Sequence, residues 1–271
     1  MTRPAPTLPS FLADKRQLGP DDAFPFACHP GVPCFNSCCH DVNIVLTPLD
    51  VLQLARRLGM HTRLFLETYT ANPITKELHL PVVLLKMLES EGTPCPFLGP
   101  DGCSVYEDRP WACRMYPLGE ALPPARAGVE PAPIYFVFED DHCRGRFDAG
   151  CPTWTVARWR QDQGLMERDE LEAGFRELVT HPWFIGGRRQ LDPKRLHLFY
   201  TACYDVDGFR AFVFESSFLD RFELEPELVE ALSNNDEALL RFAFRWLRFA
   251  LFGEPTIKVR EEHASNRRTS A

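Results

Sequence analysis

The stretch CHPGVPCFNSCCHD, Cys28 to Asp41, places four cysteines in fourteen positions and sets two of them side by side. Thiols at that density restrict what the surrounding backbone can become, because Pro, Gly, Asn and Ser fill the gaps and no apolar period runs through them. Neighbouring side chains point to opposite sides of an extended chain and about 100° apart around a helix, so Cys38 and Cys39 are poorly placed to serve one ion together. Either each faces a different metal, or one of them bridges.

The chain holds ten cysteines, and nine lie in the first 151 of its 271 residues. Disulfides, core thiols and metal ligands are the competing explanations. Disulfide frameworks belong to small secreted domains, whereas this chain is long enough to bury a core unaided. Its opening, MTRPAPTLPSFLADKRQLGPDD, has Arg3 but no apolar run of the length a secretory signal needs, which leads us to expect a cytoplasmic, reducing location. A core thiol sits inside a periodic apolar segment, as Cys203 does in LFYTACYD. The remaining cysteines do not, and packing cannot explain them. Metal ligation can, since thiolates bind zinc or iron strongly and the binding free energy then organises a loop region. Prolines beside Cys34, Cys95 and Cys151 stiffen that region in advance.

About eight cysteines would fill two four-ligand sites, tetrahedral zinc or [4Fe-4S]; a single polynuclear centre is the alternative. The spacings match neither the paired CxxC of zinc ribbons nor the ferredoxin run, so the metal stays open. His29, His40 and His142 adjoin cysteines and are candidate replacement ligands or outer-shell donors.

The formal net charge of −8 disfavours nucleic acid as a partner. No apolar run is long enough to span a bilayer, and ALLRFAFRWLRFALFG is interrupted by Arg241, Arg245 and Arg248 at helical spacing. These three read as a solvated stripe on a buried amphipathic helix, and we expect no membrane partner. The partner expected is a metal ion, and the C-terminal helices either brace the cluster or recruit an unidentified protein.

Thr47 as cap, Pro48, a Thr-x-x-Asp capping box, apolar residues Val51, Leu54, Ala55 and Leu58, and a stop at Gly59 predict a helix. A second is expected over Arg63 to Tyr69 behind Thr62. Leu78 to Leu88 reads as a strand kept to an edge or bulge by Pro81, and Ile134 to Asp140 as another strand. The segment between them has little apolar periodicity, so something other than a core is expected to hold it. From Thr153 onward five helical patterns follow, the last capped by Asp236 and ended by Gly253. The expected fold is therefore α+β and mostly helical. It divides into an arm (1–23), a cysteine-cluster domain with a few short strands (24–152), a helical region (153–255) and a polar tail (256–271).

Cys28, Cys34 and the Cys38-Cys39 pair, then LTPLDVLQLARRLGM, then CPFLGPDGCSVYEDRPWACRMYPLG from Cys95, then HCRG around Cys143 with Gly145, together resemble the YkgJ-type cysteine-cluster family of zinc- or iron-chelating domains. The resemblance covers residues 24 to 165 and implies eight ligands: Cys28, Cys34, Cys38, Cys39, Cys95, Cys103, Cys113 and Cys143. Cys151 has no counterpart and is a reserve ligand. The name-giving CxxCxxCC spacing is stretched here to five residues after Cys28 and three after Cys34. Flagellin lysine N-methylase belongs to this family, which implies, as the alternative to a metal-binding protein, an iron-sulfur enzyme that transfers methyl groups to a protein. No glycine-rich nucleotide loop supports that alternative as a motif. Arg109 and Arg114, flanking Cys113, are candidates for compensating thiolate charge or for bonding Glu107 and Asp108.

Overall fold

A computed structural model describes residues 15–74, 80–121, 132–139, 142–147, 150–184 and 190–261. The chain is α+β and mostly helical, with eleven α-helices and several two- or three-stranded sheets among those residues. It folds as two compact units, each made of two stretches of chain: Met1–Ile44 with Lys86–Arg168, and Val45–Leu85 with Asp169–Ala271. The units therefore interleave along the sequence, instead of following one another with a boundary near residue 152. The reason is amphipathic. The helices after Thr47 carry apolar faces, and these pack on the C-terminal helices.

In the second unit the expected helix runs Pro48–Arg57, and both halves of its capping box are present: Asp50 N–H donates to Thr47 Oγ1 at 3.2 Å and Thr47 N–H to Asp50 Oδ2 at 2.9 Å. The next helix is Thr62–Tyr69, with His61 at the cap. Thr62 is thus the first helical residue; its hydroxyl donates to Asp205 at 3.0 Å instead of capping its own helix. Leu85 and Val83 belong to the middle strand of a sheet ordered Val45–Leu46, Val83–Leu85, Thr70–Ala71. Pro81 lies outside that strand, in an isolated bridge to Ile74, which corrects the edge-strand expectation; the start of the expected segment, at Leu78, is outside the described residues.

The longest helix, Asp236–Phe252, buries nine residues and is surrounded by Ala173–Val179, Pro193–Tyr204, Val206–Glu215 and Pro226–Asn234. Asn235, not Asp236, caps it, accepting the Ala238 N–H at 2.9 Å, and Gly253 ends it in the left-handed conformation. Arg241 and Arg245 are exposed and Arg248 pairs with Glu254 at 2.6 Å, as a solvated stripe requires. Among the described residues no helix is long and apolar enough to cross a membrane.

The segment between the two expected strands contributes Met115 and Leu118 to an apolar core of the first unit, contrary to the expectation that something other than a core holds that segment. A sheet ordered Gln17–Leu18, Ile134–Val137, Leu118–Ala121 packs Leu18, Tyr135 and Leu118 with Phe24, Phe26, Met115, Val156, Trp159 and Leu165. Phe26 meets Trp159 edge-on at 5.4 Å and Trp154 meets Trp159 at 5.2 Å, the geometry aromatic quadrupoles favour. Sequence periodicity does not reveal this core because its residues come from short strands and from helices of seven residues or fewer.

Candidate metal centre

Residues 28–40 form a succession of tight turns. Val32 N–H donates to His29 O, Phe35 N–H to Val32 O, Ser37 N–H to Cys34 O and Cys39 N–H to Asn36 O, each at 2.9 Å. Asn36 is left-handed, φ 69°, a conformation its short amide side chain tolerates, and Ser37–Cys39 is one turn of 3₁₀ helix. Turning the chain this often draws four thiols into a small volume.

Two other segments are tied to this loop by their backbones, and a third packs on it. Cys95 N–H donates to Cys39 O at 2.7 Å, and Asp41 N–H to Thr93 O at 3.0 Å. Ala27 N–H donates to Gly145 O at 3.0 Å, and Arg144 N–H points at Cys34 Sγ at 3.0 Å, which brings the Cys143 segment to Cys28 and Cys34. Gly102 lies beneath Phe35; a Cβ there would sit 3.5 Å from that ring, and Cys103 follows in the hairpin Leu98–Gly99/Gly102–Cys103. Cys113 stands on the short helix Trp111–Met115.

The thiols feel one another. Partial burial pushes Cys28 up to about 11, and Cys38, Cys34 and Cys143 add to the shift while Arg109 opposes it. Cys39 is raised by its hydrogen bond with Cys38, then by burial, then by Cys38, Cys95 and Cys113 as charges. Burial also raises Cys95, with Cys103 and Cys38 adding and the Phe97 and Leu98 backbones offsetting part. Cys103 is raised by burial and by Cys38, against Val105 and Arg109. Each of the eight cysteines that the resemblance singled out is therefore within electrostatic reach of at least one other, in two groups: Cys28, Cys34 and Cys143, and Cys39, Cys95, Cys103 and Cys113. Cys38 is a neighbour of both. A thiol among thiols resists ionisation, and a bound cation reverses that penalty. Among the described residues no three His, Cys, Asp or Glu side chains form a ready coordination shell, so the thiols are neighbours and not a closed cage.

The other candidates sort differently. His29 Nδ1 accepts the Gly31 N–H at 3.1 Å, and His40 Nδ1 meets Gly92 O at 3.0 Å, where it must be the donor. His142 is exposed. Cys151 makes a long contact with Arg146 O, 3.9 Å, and among the described residues it is not one of the charges named for the clustered thiols. Cys203 is fully buried in the Pro193–Tyr204 helix, and burial raises it far above an ordinary thiol.

Arg109 lies over the Tyr106 ring, 3.9 Å from its centroid, and donates to Tyr106 O at 2.7 Å and to the Gln163 side chain. From there it lowers Cys28 and Cys103. Arg114 braces the backbone, donating to Arg109 O at 3.0 Å, to Gln163 O at 2.9 Å and to Glu107 O. The two arginines thus divide charge compensation and bracing between them. Sequence reasoning missed Gln163, which fixes Arg109, and the reason for Gly145. A Cβ at Gly145 would stand 2.2 Å from Ala27 O, so only glycine lets the HCRG segment reach the loop.

An α+β unit that gathers thiols from loops in this way is a cysteine-cluster domain. Residues 27–143 are similar to the CxxCxxCC family, described as "Putative zinc- or iron-chelating domain". The match takes in all eight cysteines carried by the resemblance and leaves out Cys151 and Cys203. No curated protein and no solved structure matches the chain.

Proposed function

We propose that this is a cytoplasmic metal-binding protein in which Cys28, Cys34, Cys38, Cys39, Cys95, Cys103, Cys113 and Cys143 coordinate zinc or iron. The observation that supports it is the convergence of eight thiols from four separate segments, each within electrostatic reach of at least one other, with Cys38 next to both groups. Soft anionic sulfur suits Zn²⁺ or an iron-sulfur cluster better than a hard cation. Cys28, Cys34 and Cys143 would hold one side of the centre and Cys39, Cys95, Cys103 and Cys113 the other, with Cys38 between them. Arg109 offsets part of the negative charge that the thiolates bring. Bound zinc would supply structural cross-linking; a bound [4Fe-4S] cluster would supply electron transfer.

Purification without air, followed by metal analysis and a visible spectrum, tests the reading. Cys38→Ser and Cys113→Ser should each lower bound metal, and Cys203→Ser should leave it unchanged. A brown protein with several irons per chain would turn the reading toward a redox or methyl-transfer enzyme acting on a protein, and a colourless one with zinc toward a structural centre. A protein made without air that holds neither metal, and keeps its fold in strong chelator, would overturn it.

A further inference from the structure

Far along the chain from the cysteines, residues 212–259 enclose a cleft of about 460 Å³, within the roughly 300–1,000 Å³ typical of small-molecule pockets. Its walls are aromatic. Phe212 meets Trp246 at 5.2 Å, Phe218 meets Phe222 at 4.6 Å, and Phe222 meets Phe249 at 5.4 Å, so the rings brace one another and the surface they present is stiff. Phe212 is 36% exposed although its ring packs on three others, and it opens the wall to solvent.

The polar groups of the cleft are few. Ser216 is occupied, its hydroxyl donating to Phe212 O at 2.6 Å. Ser217 and Arg221, one helical turn apart at either end of the Phe218–Arg221 helix, both line the cleft, and neither side chain has a hydrogen-bond or ion-pair partner among the described residues. Neighbouring cations do have partners: Arg210 pairs with Asp236, Arg248 with Glu254 and Lys258 with Glu223. No Asp or Glu lines the cleft. A guanidinium left without a counter-ion at the edge of a stiff aromatic surface is complementary to a ligand with one anionic end and one flat or slender apolar end.

We propose that this cleft binds a small organic carboxylate with an aromatic or short alkyl body. The carboxylate lies against the Arg221 guanidinium and the Ser217 hydroxyl, and the body lies along Phe212, Phe222 and Trp246. The site stands apart from the cysteine reading and survives if that reading fails.

Calorimetric titration of the full chain with phenylbutyrate and with its neutral amide tests the proposal. The acid should bind saturably and at least about tenfold more tightly than the amide, as one charge-assisted contact implies. Arg221→Gln, at an exposed position, should abolish that preference while leaving the melting temperature unchanged; Arg221→Lys should restore part of it. Phe212→Ala should weaken acid and amide alike. Failure of the acid to saturate, equal affinity for acid and amide in the unaltered protein, or an undiminished preference in Arg221→Gln would each overturn the proposal.

Discussion

The two units solve the folding problem with different materials. In the second, apolar side chains are dense and periodic: one helix alone buries Leu239, Leu240, Phe242, Ala243, Phe244, Trp246, Leu247, Phe249 and Leu251. Its charges are paired internally, with Arg56 donating to both Asp207 and Asp236 and Arg63 to Asp205. In the first, an aromatic core holds the sheet, but the turns Ser37–Cys39 and Tyr106–Asp108 bury no residue at all. Those turns are held by backbone hydrogen bonds, and the first carries two of the clustered thiols. Where side chains bury enough apolar surface a segment holds its own conformation; where cysteines take their place, an added cation has the most to contribute.

The comparison can be broken most forcefully by removing metal. Strong chelator should speed amide exchange in residues 28–40 and 93–103 by roughly a hundredfold or more, while amides of the Asp236–Phe252 helix stay protected. Equal loosening of both regions would erase the distinction. The reverse experiment is Phe244→Ala, which empties a fully buried position of the second unit and should cost about 3–5 kcal/mol in chemical denaturation, yet leave the metal bound per folded chain unchanged.

Smaller effects sharpen the same contrast. Gly145→Ala forces a Cβ against the Ala27 carbonyl, and about 1–3 kcal/mol of overpacking should appear together with reduced metal content. Asp207 provides a pH test confined to the second unit. Burial alone would raise its carboxyl, but the Arg56 guanidinium and the Thr62 backbone and hydroxyl outweigh burial and hold it at about 2, below the ordinary 3.8. Its contribution is complete above 3.8 and is lost as the pH falls from there through 2. Asp207→Asn should therefore destabilise by about 1–2 kcal/mol at neutral pH, a figure discounted for solvent screening, and should flatten the acid limb of a stability profile.

Much of the helical architecture was legible from the chain alone. The Thr47 capping box, the apolar repeat behind it and the Gly253 stop are local signals, and each appears where local chemistry puts it. The sorting of Cys203 from the other thiols was legible for the same reason, because a helical apolar context predicts burial. Gathering of the cysteines was foreshadowed by their density and by the motifs from Cys95 to Gly119.

Other features needed three dimensions. Cys38 neighbours both groups of thiols because residues 93–95, 102–103 and 143–145 return to the Cys28–His40 turns, and no spacing along the chain encodes those returns. The interleaving of the two units, the aromatic core under the cysteine loops and the partnership of Arg109 with Gln163 likewise join residues far apart in sequence. The sequence by itself determined the strongly periodic helices, such as Pro48–Arg57 and Asp236–Phe252, and which thiols lie outside any periodic apolar segment, since capping and periodicity act over a few residues; it did not reveal Trp111–Met115 or Pro226–Asn234. Only the tertiary structure decided which distant segments meet, because long-range contacts depend on how whole apolar faces and backbone edges fit together.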